Sequence, residues 1–527
     1  MKTIFKNCRI IDGSGNPGYM GDVLIENGKI ARVGNFFSPE NAEIINLEGL
    51  TIAPGFIDMH SHSDLDLLVH PEAKQKNMQG VTTELLGQDG TSIAPVKPEE
   101  KDILRRQVSG LLGDPDIEWD WINYDDYLKR LENLKTSINI CTLVPYGQLR
   151  QWAVGMDDRK PSNDEIELMK SLCKEAFQHG VRGISLGLIY PPCIYADREE
   201  IAEVCKVAAE EGGFLVCHIR NEGDMFFESI EEIIWIAEKA GIPLHISHLK
   251  AAGKENWHKM EIVLKRLEEA NQEGKTEISF DQYPYPVGST LLSALLPPWV
   301  HNGGVNALLE RLHDQALREK IKEELNYKGI SAWENWIKNC GWEGIIITSV
   351  KSEANKNFEG KSLAEIASML NIEPGDVIFK LLIEENTAVS MGQVWGSEEG
   401  IGRVMQHPFY MTGTDGLLGG KPHPRLYGTF PRVLGKYCRE EKLFSLEEAV
   451  FHMTSFPARR LGLQDRGQIK EGMVADLVIF DPEKIIDRAT FSDPHQYGEG
   501  VFHVLVNGEF VVREGKHTGK RPGKVLR

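Results

Sequence analysis

The chain has little that would staple it or anchor it. Its eight cysteines are scattered without a single CxxC pair, so no disulfide framework is expected and a reduced, cytoplasmic protein is the natural reading. No apolar run approaches the length needed to cross a bilayer. The N-terminal stretch MKTIFKNCRIIDGSG lacks an apolar core followed by a small-residue cleavage site, so it is expected to remain in the mature protein. There is no block of lysine and arginine either: 59 basic residues face 78 acidic ones, for a net charge of -19. Nucleic acid and anionic membranes are therefore not expected partners, and an anionic ligand would have to be met by local basic residues. Short internal repeats and low-complexity tracts are absent as well.

What is present suits a large folded protein. Hydrophobic residues make up 41% and charged residues 26% of the 527 positions, which predicts one large barrel-type domain with something smaller attached. Both ends read as short strands with an Asn-Gly dipeptide between apolar alternations, at Asn27-Gly28 and Asn507-Gly508. Residues 1–53 and 466–527 are thus expected to build one small β-sandwich domain from the two termini. Between them, over 54–465, strand-like runs alternate with amphipathic helical stretches. The runs include TIAPGFIDM, VTTELLGQ, SINICTLVPYG, VRGISLGLIY, GFLVCHIR, IPLHISHLK, EISFDQYP and FYMTGTDG. Eight such alternations predict an α/β fold, a (β/α)8 TIM-type barrel. The rhythm breaks from about 287 to about 345, which reads as an insertion after strand 7.

In such a barrel the C-terminal strand ends build the active site. His60 and His62 close the first strand in PGFIDMHSHSD, and the two-residue period aims both side chains one way. Asp89 follows the second strand, His218 closes the fifth, His248 the sixth and Asp415 the eighth. Each residue alone carries little: HxH also occurs structurally, and an Asp-Gly pair commonly makes a turn. Placed together at successive strand ends, four imidazoles and two carboxylates point to one or two divalent-metal sites, with zinc the best-fitting ion. Lys250 lies two residues beyond His248, Arg220 two beyond His218, and Arg425 sits in HPR. All three are candidates to receive a substrate carboxylate, against the plainer reading, which Arg220 suits better, of an arginine tied to the neighbouring NE pair or to loop carboxylates.

The segments PGFIDMHSHSD, GISLGLIYPP, HIRNE, ISHLKAAG, DQYPYPVGST, GTDG, HPRLYGTFPRVL and MTSFPARRLGL, followed by DRGQIKEGMVADLVIFD, resemble the D-aminoacylases. These N-acyl-D-amino-acid deacylases belong to the amidohydrolase superfamily, and the likeness spans nearly the whole chain. The resemblance implies that His218 and His248 hold a tightly bound Zn2+, with His60, His62 and Asp415 lining a second, weaker position. It implies that Asp415 is the general base and acid, that Lys250 and Tyr283 receive the substrate carboxylate, and that Tyr190 contacts the acyl group. One departure stands out. The family usually carries a metal-bridging cysteine in a GNCG context, whereas this chain has Gln88-Asp89. Asp89 is expected to take the bridging role, against the plainer reading of a residue in a tight turn.

The activity so implied is hydrolysis of a small N-acyl-D-amino acid to a carboxylic acid and a D-amino acid by metal-activated water. A cyclic-amide hydrolase of the hydantoinase or dihydroorotase kind is an alternative. Such relatives usually bridge their metals with a carboxylated lysine on the fourth strand, and VRGISLGLIY has none. A non-catalytic scaffold is the other alternative, although all four histidines and Asp415 are kept. The preferred side chain, the acyl group and the oligomeric state are not assigned by the sequence.

Overall fold

The computed structural model describes residues 2–36, 41–331 and 333–527. Eight parallel strands form one sheet: Phe56–Asp58, Val81–Leu86, Asn139–Pro145, Gly183–Gly187, Phe214–His218, Leu244–Ile246, Ile278–Gln282 and Tyr410–Thr412. They lie side by side in chain order, and a parallel bridge from Ser61 to Gly416 joins the last to the first. Every residue of these strands is buried, as expected where helices cover the outside of a parallel sheet. The expected (β/α)8 barrel is therefore present. Helices Asn163–Gln178, Arg198–Glu210, Phe226–Ala240 and Lys259–Gln272 follow strands three to six. Their starts are written locally: Ser162 and Glu165 form a reciprocal capping box, and the Asp197 side chain accepts from the Glu200 N–H.

A second, nine-stranded sheet takes strands from both termini. Thr51–Pro54 lies between Lys2–Ile10 and the C-terminal strand Leu477–Phe480. The Asn27-Gly28 and Asn507-Gly508 pairs turn the expected hairpins, with φ of 52° and 77° in the first and 51° and 79° in the second. A bridge between Lys29 and Val474 brings the far edge of this sheet back on itself around Phe5, Ile25, Ile52, Leu477 and Leu505. The run TIAPGFIDM is thus two strands in two sheets. Gly55 makes the step between them, where an added Cβ would lie 2.3 Å from the Thr82 side chain.

After the seventh barrel strand the chain leaves the barrel for longer than the 287–345 expected. Val287–Leu291 and Ile345–Val350 do not pair with each other; Val389–Val394 lies between them, antiparallel to both. The insertion therefore closes only once SMGQVWG has supplied its central strand. Helix Glu398–Met405 then leads into the eighth barrel strand. The misjudged boundary has a simple cause: the central strand of this sheet comes last in the chain, so a break in local rhythm cannot reveal it.

Candidate metal centre

Six side chains from five strand ends converge at one mouth of the barrel. His60 and His62 bring their Nε2 atoms to 3.3 Å from each other. Asp415 Oδ1 lies 3.6 Å from His60 Nε2 and 3.3 Å from His62 Nε2. Asp89 Oδ2 is the common point: it lies 3.6, 3.5, 3.9 and 4.0 Å from ring nitrogens of His60, His62, His218 and His248 respectively. Two donor groups result, His60–His62–Asp89–Asp415 and Asp89–His218–His248, and they share Asp89. Three of these residues sit in the left-handed backbone region, with φ of 54° at Asp89, 33° at His248 and 47° at Asp415. Such conformations are costly for residues with side chains and persist where surrounding contacts hold them, often at functional sites.

Orphaned atoms show what these residues are ready to bind. Among the described residues, both His218 ring nitrogens are buried without a hydrogen-bond partner, and the Nε2 atoms of His60 and His62 face each other across 3.3 Å. Buried polar atoms are normally satisfied. A nitrogen- and oxygen-donor set of this kind, open on the side of the pocket, fits a divalent ion such as zinc. Burial pushes the Asp89 carboxyl up, but the charge of His60 and the other imidazoles around it outweigh burial and hold the group well below the usual carboxylate range. Burial opposes ionisation of Glu222 too, and the Lys250 ammonium overcomes it, bringing that carboxyl down to about 2.

The surrounding residues orient the cluster. Asp281, on the seventh strand, accepts from the His248 N–H at 3.0 Å and lies 3.0 Å from His245 Nε2 and 3.5 Å from His60 Nδ1. Lys250 Nζ donates to Glu222 Oε1 at 2.6 Å and lies 2.8 Å from His248 Nδ1. Carboxylates that fix the far side of a ligand imidazole select its tautomer and raise its basicity. Arg425 Nη1 pairs with Asp415 Oδ2 at 2.8 Å, and its guanidinium lies over the Tyr283 ring at 4.5 Å. Tyr190 packs edge-on against His218 and shares a 2.7 Å hydrogen bond with Thr290. The pocket beside the cluster is lined by Tyr190, Lys250, Tyr283 and Arg425, together with Ser289 and Gln393 of the insertion.

One candidate is directed elsewhere. Arg220 forks onto Glu232 and donates to the carbonyls of Ile194 and Ala196 at 2.9 and 3.0 Å, lining a surface groove with Arg198 and Phe227. The two-residue spacing from His218 does not bring it to the pocket, because Glu232 holds its guanidinium in a carboxylate tie.

Asp281, Glu222 and Lys76 were not among the expected site residues. Asp281 is the acid inside the apolar run EISFDQYP, and Glu222 ends HIRNE; each carried the signal of an acid beside a strand end. Lys76 gave none, since AKQKN reads as a solvated turn of helix. Yet it is completely buried, donating to Asp58 Oδ2 at 2.6 Å, Thr414 Oγ1 at 2.7 Å and Ser61 Oγ at 2.9 Å. Through these side chains it ties the first strand end to the eighth. Lys76→Met leaves the Asp58 carboxylate unpaired in the interior and is expected to cost about 3–5 kcal/mol, seen as a lowered urea midpoint. Lys76→Met combined with Asp58→Asn should recover part of that loss, since it removes the unpaired charge and keeps an acceptor for the Thr414 N–H.

Residues 43–318 and 396–512 match the family described as the amidohydrolase family. The D-aminoacylase of Alcaligenes xylosoxydans xylosoxydans is 33% identical over 98% of this chain and 96% of its own length. The N-acyl-D-aspartate deacylase of the same organism is 32% identical over 99% and 94% respectively. Among solved structures, the N-acyl-D-glutamate deacylase from Bordetella bronchiseptica, complexed with zinc and a phosphonate mimic of the tetrahedral intermediate, superposes with a TM-score of 0.83. It is 31% identical, and the match covers 100% of this chain and 99% of that one.

Proposed function

The chain belongs to the amidohydrolase family, in its D-aminoacylase branch, and from that premise we propose that it hydrolyses the amide bond of N-acyl-D-amino acids with zinc as its metal. The observation that carries the reading is the sharing of Asp89 between two donor groups at the barrel mouth. His218 and His248 with Asp89 would hold the first ion, and His60, His62 and Asp415 with Asp89 a second, weaker one. When bound, zinc supplies a water acidic enough to ionise near neutral pH and an electrophile for the acyl carbonyl.

The protein's own groups account for the rest. Asp415 has one oxygen committed to Arg425 and the other facing the cluster. Oδ1 is therefore placed to take a proton from the attacking water and to return it to the departing nitrogen. An amine leaves only once that nitrogen is protonated, so one carboxylate serves both halves of the reaction. Lys250 donates to Glu222 at 2.6 Å and lines the pocket, where its ammonium can also meet a substrate carboxylate. Tyr283, Arg425 and Tyr190 line the same space. Leu111 and Ile189 add apolar surface to its lining, which limits water around the developing charge.

A panel of N-acetyl D- and L-amino acids together with hydantoins, assayed with zinc-loaded protein, tests the reading. Turnover of D-isomers is expected; turnover confined to L-isomers or to hydantoins would overturn it. Removing metal with a chelator is expected to abolish this turnover, and zinc should restore it. Chelator-treated protein that keeps full activity would defeat the metal role.

A further inference from the structure

Behind the Lys250–Glu222 pair stands a second buried acid. Glu334, in the insertion, is 3% exposed, and its Oε2 accepts from the Glu222 N–H at 3.2 Å. The Glu222 carbonyl in turn accepts from the Ala252 N–H at 2.7 Å. The loop after the fifth barrel strand is thus fastened both to the insertion and to the loop that carries Lys250. From this fixed backbone Glu222 Oε1 meets Lys250 Nζ at 2.6 Å and lies 3.1 Å from His248 Nδ1.

The same stretch of the insertion holds the next two residues of that loop. Asn335 caps the short helix Trp336–Cys340 by accepting from the Lys338 N–H at 3.0 Å. The Lys338 ammonium pairs with Asp224. Asn339 packs so closely on Gly223 that an added Cβ would lie 2.5 Å from its Nδ2. Glu222, Gly223 and Asp224 therefore rest on Glu334, Asn339 and Lys338 respectively.

A charged acid at position 334 would repel Glu222 and compete for the Lys250 ammonium. Burial, and next the charge of Glu222, push the Glu334 carboxyl well above the usual carboxylate range, which favours its uncharged form. An uncharged acid still accepts through Oε2, so it can hold the Glu222 backbone and leave Glu222 alone to balance Lys250. Among the described residues Oε1 has no partner, and Glu334 lines a small cavity with Ile189, Pro191, Trp333 and Trp336 rather than the metal pocket itself.

We propose that Glu334 is a positioning residue for carboxylate recognition: through Glu222 it sets where Lys250 presents its ammonium to the substrate. The inference rests on the deacylase reading above and adds to it a residue that lies outside the pocket.

Glu334→Met replaces the acid with an apolar side chain of similar length, and Glu334→Gln keeps an uncharged acceptor. Both are compared with the wild type, all zinc-loaded, on the N-acetyl-D-amino acid that the wild type turns over best. Glu334→Met is expected to raise KM about tenfold with kcat within about threefold, because the carboxylate is bound alike in ground and transition states. Glu334→Gln is expected to keep KM within about twofold of the wild type. Zinc content, measured on the same preparations, should be unchanged. Should Glu334→Met fail to fold, Glu334→Asp withdraws the acceptor by one methylene and is expected to raise KM in the same way. Unchanged KM in a folded variant that lacks the bond would overturn the proposal, as would Glu334→Gln impaired as much as Glu334→Met. A loss confined to kcat, or zinc content falling with activity, would overturn it too, and the deacylase reading would stand in each case. Absence of wild-type turnover on every N-acyl-D-amino acid would bring down the deacylase reading and this inference with it.

Discussion

Asp415→Asn is expected to lower kcat by about 10²–10⁴-fold while moving KM only a few-fold. The asymmetry follows from the two jobs of this carboxylate. Oδ2 holds Arg425 at 2.8 Å, and Oδ1 faces His60 and His62. An asparagine can still offer its carbonyl to the guanidinium, so Arg425 keeps an acceptor and the pocket keeps its shape. What is lost is a group able to accept a proton and give it back. Alanine is the poorer probe, because it would leave the buried Arg425 without its anion and confound chemistry with folding. Steady-state kinetics on an N-acetyl-D-amino acid, with zinc content measured on the same preparation, separates the two losses. Unchanged kcat in fully metallated Asp415→Asn would remove this residue from the proton transfers. A drop in zinc content matching the drop in kcat would make Asp415 chiefly a ligand.

The elements that could be read from the sequence were those written locally. Strand runs ending in histidine or aspartate, the Asn-Gly turns, and helix starts at Ser162 and Asp197 depend on neighbours within a few residues, so pattern and propensity suffice. His60 and His62 face the same cluster although the strand ends at Asp58, because the Ser61–Gly416 bridge between them keeps the segment extended. The same two-residue spacing does not carry Arg220 to the pocket, because Glu232 holds its guanidinium in a carboxylate tie. Local pattern also misses whatever long-range packing decides. Lys76 is buried because Asp58 and Thr414, the latter 338 residues away, surround its ammonium, and nothing in AKQKN announces that. The central strand of the insertion follows the same logic, since its partners lie on either side in space but both precede it in the chain. Asp89 is a different case. Turn residue and ligand were posed as alternatives, yet Asp89 has the left-handed φ of a tight turn and also faces all four imidazoles. The turn is what aims the carboxylate.

That coincidence gives the sharpest test of the bridging role. Asp89→Asn keeps a residue that tolerates left-handed backbone and removes only the charge. The apo protein is expected to keep its melting temperature within a few degrees, whereas apparent zinc affinity should fall by about 100-fold or more. Zinc at 100 times its Kd stabilises the wild type by about 2.7 kcal/mol, and nearly all of that should vanish in the variant at the same zinc concentration. Asp89→Cys restores an anionic donor, now a softer one. It is expected to regain zinc binding and, loaded with cobalt, to show a thiolate-to-metal charge-transfer band in the near ultraviolet. Asp89→Asn with full zinc content, together with Asp89→Cys lacking that band, would reduce Asp89 to the turn and leave the two donor groups without a shared ligand.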